Sequence, residues 1–165
     1  MKDKLDAFIE ALREELKEYG GLLALLEEQQ DQLIRRAADE VLNTVTSIDV
    51  RTTAIQQVRN RRERSRADLA AVYELSPEAT VLELVGWLPE TRRPLLRALI
   101  DENNALVIRV RERAQQNHLL LSHSLSLMQR FFNALFPGSR PLVYSEDGFA
   151  PPTPATGHSL YDAVG

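Results

Sequence analysis

The chain has 165 residues, 44% hydrophobic and 27% charged, with a net charge of −4 and a pI near 5.5. That length suits one domain with a sizeable core, and the acidic balance argues against a nucleic-acid or acidic-membrane partner for the chain as a whole. The absence of cysteine excludes a disulfide framework and any thiolate metal site, and it fits a reducing cytosol.

No apolar run approaches the ~18 residues of a membrane span, and MKDKLDAFIEALREE has no uninterrupted apolar core of a secretory signal. Aromatics are few and β-branched runs nearly absent, so the expectation is a soluble, cytosolic, all-α protein.

The first helix is predicted from about Lys2. Leu5, Ile9, Leu12, Leu16, Tyr19, Leu23, Leu26, Gln30 and Leu33 recur in threes and fours and define its seam. Gly20-Gly21 interrupts the composition but not the phase, so one helix is expected to run through, with a bend or a close helix approach there. Arg35, Arg36 and Ala37 close it, where cations suit the C-terminal dipole.

A second helix follows with Asp39 as its expected N-cap and Val41, Val45 and Ile48 opening its stripe, which continues through Thr52, Ile55 and Val58. It then meets an arginine run: Arg59, Arg61, Arg62, Arg64 and Arg66. With no aromatics interleaved, the run reads first as an exposed helix face paired with acidic neighbours, and second as a phosphate or nucleic-acid patch.

Between about 75 and 93 the pattern changes. Ser76-Pro77 is expected to start a short helix, with Ser as N-cap and Pro in the first turn. Pro89 ends it. Trp87, on this crossover, is expected to plug one end of the bundle.

The stretch from Pro94 to Phe136 is the longest periodic segment. Leu96, Ile100, Asn103, Val107, Val110, Ala114, Asn117, Leu121, Ser124, Met128, Phe131 and Leu135 fall on one side, with no Gly or Pro from Leu95 to Phe136. Such a helix would be roughly 60 Å long and needs partner helices. Three seam positions are polar: Asn103, Asn117 and Ser124. The second half of this helix is apolar on more than one face, which exceeds what a three-helix core can bury and suits an adaptable helix-in-groove site. The alternatives are a homodimer face, or a core widened by the crossover.

Pro137-Gly138 terminates the helix. The remainder, rich in Pro, Gly, Ser and Thr, reads as a flexible tail with two apolar islands, Leu142-Val143-Tyr144 and Leu160-Tyr161. The expected architecture is therefore an elongated antiparallel bundle or coiled coil of three long helices plus a short crossover helix. Residues 1–136 would form the bundle and 137–165 a Pro-rich tail.

Catalytic and metal signals are thin. His118 and His123 are five apart on a helix and diverge, and His158 lies in the tail. There is no HExxH, no Gly-rich phosphate loop and no cysteine nucleophile. Ser122, Ser124 and Ser126 near His123 have no orienting acid. No catalytic residue, cofactor or metal is expected.

One resemblance adds to this. Gln116-Asn117 followed by Leu120-Leu121, a Pro-containing turn, and then Leu142-Val143-Tyr144-Ser145-Glu146-Asp147-Gly148 are similar to the pattern of the FlgN family of flagellar export chaperones, including its Leu-x-Tyr-x-x-Asp-Gly signature. The crossover is longer than in compact relatives, and Leu160-Tyr161 has no counterpart in that pattern.

The resemblance implies a chaperone that binds the C-terminal helices of hook–filament junction proteins and keeps them from assembling early. Delivery would be to the cytoplasmic domain of the flagellar export gate, with the export ATPase a further implied partner. It places client binding at Asn117, Leu120, Leu121, Ser124, Leu127, Met128, Phe131, Phe132 and Leu135. Gate docking falls at Tyr144, with Asp147 and Gly148 beside it. A homodimer is compatible with either reading; nucleic-acid binding and membrane insertion are not expected.

Overall fold

The computed structural model describes residues 2–136. The tail positions named above lie outside these residues. The described chain is all-α, with α1 at Lys2–Arg35, α2 at Ala38–Val72, α3 at Val81–Trp87 and α4 at Arg93–Leu135.

Helix α1 is central and packs against both α2 and α4. Its periodic Leu, Ile and Phe residues supply most of the core. Below, Leu5, Phe8, Ile9 and Leu12 meet Leu69 of α2, Val85 and Leu88 of the crossover, and Leu96 and Leu99 of α4. Above, Tyr19, Leu22, Leu23 and Leu26 meet Ile48, Ile55 and Val110. Successive long helices run in opposite directions, which leaves α1 and α4 parallel: Asn103 reaches Leu12, and Asn117 reaches Leu26.

Helix α1 does run unbroken through Gly20-Gly21. Gly21 is the close approach, since a Cβ there would lie 2.9 Å from the Arg51 guanidinium carbon. Gly20 faces open space, with nothing within 4 Å of a built Cβ.

The break after α1 needs neither Gly nor Pro. Arg36 takes φ 59°, the Arg36 N–H bonds the Leu33 carbonyl at 3.2 Å and the Ala37 N–H bonds that of Gln32 at 3.0 Å. This is the paired bonding of a Schellman stop, made by an arginine in the left-handed region. Helix α2 ends the same way, with Glu74 at φ 56° and bonds from Glu74 to Ala71 and from Leu75 to Ala70.

Four sequence expectations are corrected. Ala37, not Asp39, is the N-cap of α2, and it makes no side-chain cap; the Schellman turn delivers the chain directly into the new helix and leaves Asp39 in its first turn. Val45 is exposed, and the buried line of α2 is Thr44, Ile48 and Ile55.

Ser76-Pro77 forms a turn closed by Ala79 N–H on the Ser76 carbonyl at 2.9 Å. The short helix starts later because Thr80 and Glu83 make a reciprocal capping box. Finally, Trp87 is 59% exposed, and Leu84, Val85 and Leu88 do the plugging. Leu84 and Val85 share the inner face of this 7-residue helix and Leu88 follows from its C-cap, which leaves Trp87 outside.

Helix α2 buries little apolar surface, and charge supplies the rest of its register on α1. Lys4 pairs with Asp68 at 2.6 Å, Glu14 with Arg61 at 2.5 Å and Glu18 with Arg51 at 2.7 Å. Glu15, almost fully buried, accepts from Arg62 through both oxygens at 3.0 Å. Arg66 bonds Glu63 at 2.8 Å and also the Ala79 carbonyl. Arg61, Arg62 and Arg66 of the arginine run are thus engaged within the fold.

Candidate functional site: the unpacked half of the long helix

The constant offset between α1 and α4 positions the site. Gln30 bonds Gln116 at 3.2 Å and accepts from Arg113, and Asn117 donates to the Leu26 carbonyl at 2.7 Å and to Gln29 Oε1 at 3.0 Å. Asn117 is the last buried residue of α4. From His118 to Phe136 every residue is exposed. Helix α4 continues for roughly another 25 Å at about 1.5 Å per residue without a covering element among the described residues.

Ten large apolar side chains lie bare on that segment: Leu119, Leu120, Leu121, Leu125, Leu127, Met128, Phe131, Phe132, Leu135 and Phe136. Met128 and Phe131 are each 67% exposed. The rings of Phe132 and Phe136 sit 5.0 Å apart, tilted at 42°, so the tip carries a small aromatic pair. Arg130 is the only Lys, Arg, Asp or Glu from His118 to Phe136. Ser124 turns its hydroxyl back onto the Leu120 carbonyl at 3.0 Å and so presents little free polarity. Soluble monomers rarely expose large apolar side chains in such number on one segment.

Eight of the nine residues placed at the client face by the sequence are on this surface: Leu120, Leu121, Ser124, Leu127, Met128, Phe131, Phe132 and Leu135. Asn117 is not. It is 4% exposed and its amide is committed to α1, so it belongs to the mount of the helix rather than its open face. Leu119, Leu125 and Phe136 join the exposed set; their signal was the apolar run around the whole helix, which the single-seam spacing does not capture. Tyr144, Asp147 and Gly148 lie outside the described residues.

Among the described residues no group of three or more His, Asp or Glu is placed to hold a metal ion, and no helix is long and apolar enough to cross a membrane. What the arrangement offers is a bare, apolar helical rod.

The family model described as FlgN protein matches residues 1–152. The chain belongs to the FlgN family. FlgN proteins are flagellar export chaperones, a family of binding proteins rather than enzymes. The FlgN match takes in Tyr144, Asp147 and Gly148 and stops short of Leu160-Tyr161. No curated protein and no solved structure matched the chain.

Proposed function

We propose that this FlgN-family chain binds the C-terminal helical region of hook–filament junction proteins on α4 from His118 to Phe136. It would hold that region back from assembly and deliver it to the cytoplasmic domain of the export gate. The observation that carries this is the bare apolar run beyond Asn117. Burying a Leu or Phe side chain contributes about 1.5–3 kcal/mol, and an unsupported helix of this length is marginal in water. A client helix laid along it gains contact area and stabilises the rod at once.

In this reading Tyr144 is the gate contact, with Asp147 and Gly148 beside it. Residues 1–136 carry the client and 137–165 carry the docking motif. The protein works in the cytoplasm, without cofactor or metal.

Calorimetric titration with the C-terminal helical segment of a hook–filament junction protein tests it. Phe131→Asp and Leu127→Asp should each weaken binding by about tenfold or more, with helix content unchanged by circular dichroism. Tyr144→Ala should keep client affinity and lose binding to the gate domain. A dimer by light scattering that Phe131→Asp dissociates, with no client binding in either form, would instead make this face a homo-oligomer seam.

A further inference from the structure

The opposite end of the molecule carries a second surface that the client reading does not use. The turn after α2 and helix α3 enclose a shallow groove of about 430 Å³ lined by Leu75, Ser76, Glu78, Ala79, Glu83 and Trp87. Trp87 stands 59% exposed, and Leu82, five residues earlier on α3 and outside the groove lining, 73% exposed. Gly86, between them in sequence, has nothing within 4 Å of where a Cβ would be, so the ground between the two side chains is open.

Charge selects the occupant. From Ala67 to Thr91 there is no Lys or Arg, while Asp68, Glu74, Glu78, Glu83 and Glu90 are all acidic. Asp68 is paired with Lys4. Glu83 is held by Thr80, its backbone N–H and then its hydroxyl keeping the carboxyl below the usual carboxylate range, so it is charged at neutral pH. The arginines bordering the groove turn inward. Arg93 donates to the carbonyls of Leu88 at 2.8 Å and Gly86 at 2.9 Å, and Arg66 to that of Ala79. An indole face beside carboxylates is the setting that holds a guanidinium or ammonium. Exposed tryptophan is also the side chain most enriched at binding hot spots.

We infer that this groove docks a basic segment of a protein partner, an Arg or Lys stacking on Trp87 between Glu78 and Glu83 while an adjacent apolar residue covers Leu82. The site lies at the start of α4, roughly 37 Å from His118 along the helix at about 1.5 Å per residue. A bound client and this partner therefore do not compete.

Trp87 is the only tryptophan in the chain, so its emission reports on the groove directly. The probe is a synthetic amphipathic peptide of alternating Lys/Arg and Leu, with a Glu-for-Lys/Arg peptide as control. The full chain carrying Phe131→Asp is used, which removes apolar capture at the far tip. Saturable change of Trp87 emission with the basic peptide only, weakened by salt, is expected.

Glu78→Gln with Glu83→Gln should weaken binding by about tenfold, because Gln at 83 preserves the capping box while removing its charge. Trp87→Ala, read by anisotropy of the labelled peptide, should do the same. Equal binding of both peptides, or unchanged affinity in the Gln and Ala variants, overturns the inference. So does Trp87 emission that shifts with protein concentration alone, which would mean that a second copy fills the groove. None of these outcomes bears on client binding at α4.

Discussion

Asn117 donates its side-chain amide to the Leu26 carbonyl at 2.7 Å, and Asn103, two heptads earlier, does the same to Leu12 at 3.2 Å. Both bonds span 91 residues. Parallel helices with apolar residues at a seven-residue repeat pack as a coiled coil, and a buried Asn in such a seam fixes register at a cost in stability. Here the cost is visible, because Oδ1 of each Asn is buried without a hydrogen-bond partner among the described residues. A buried unsatisfied acceptor costs about 1–3 kcal/mol.

Asn117→Leu should therefore raise stability by about 1 kcal/mol in urea unfolding while loosening the alignment of α4 on α1. Because the chain has no cysteine, spin labels at Ala24 and Gln115 can be placed without background. Their distance distribution should broaden in the variant. An unchanged, narrow distribution would show that the apolar layers alone set the register.

The two central glycines differ in what surrounds them. Gly20→Ala meets open space and should stabilise α1 by about 1 kcal/mol. Gly21→Ala drives a methyl against the Arg51 guanidinium and disturbs its 2.7 Å pair with Glu18, so it should gain less. In an Arg51→Ala background the two substitutions should become equivalent by thermal unfolding. A persistent gap would place the constraint elsewhere.

Arg36 and Glu74 hold left-handed conformations that cost an L-residue with a side chain about 1–2 kcal/mol. Arg36→Gly and Glu74→Gly should each stabilise by about 0.5–1 kcal/mol after the greater flexibility of glycine in the unfolded chain is counted. The two stops share no partner, so their effects should add in a double variant.

Glu15 sets a pH signature. Burial raises its carboxyl above the ordinary value of 4.5, and Arg62 and Arg59 only partly offset this. The native state then keeps the proton to a higher pH than the unfolded chain does. The stability from this group is complete below the unfolded value and falls as pH rises through the folded one. Glutamine does not titrate, so the stability of Glu15→Gln relative to the parent should improve from about pH 4 to about pH 7. Denaturant curves at both ends measure it; the opposite trend would mean that the Arg62 pair outweighs desolvation.

Much of the fold is legible from periodicity. The seam of α1 and its continuity through Gly20-Gly21, the span of α4 and its start within a residue of Pro94 follow from spacing and from Pro89 and Pro94. The boundaries that sequence misplaces are those made by backbone. A Schellman stop built on Arg36 carries no glycine to announce it, and Ser76-Pro77 fits a turn as well as a helix start until Thr80 and Glu83 compete for the cap. For the candidate site, surplus hydrophobicity on α4 points to the exposed set, because no three-helix core has room for Leu119 through Phe136. The burial of Asn117 was not legible, since a polar residue on a seam looks the same whether it faces α1 or a client.

The two-heptad spacing from Asn103 to Asn117, matched on α1 by that from Leu12 to Leu26, also makes the direction of the bare rod a matter of counting. Each residue added to or removed from α4 between Asn103 and Asn117 turns everything beyond it by about 100°. One deletion there would swing Leu121, Met128 and Phe131 about a quarter turn around the axis without altering a single exposed side chain. Length changes in that segment are accommodated in sevens, and the number of residues from Asn103 to Asn117 fixes the compass bearing from which a partner must approach.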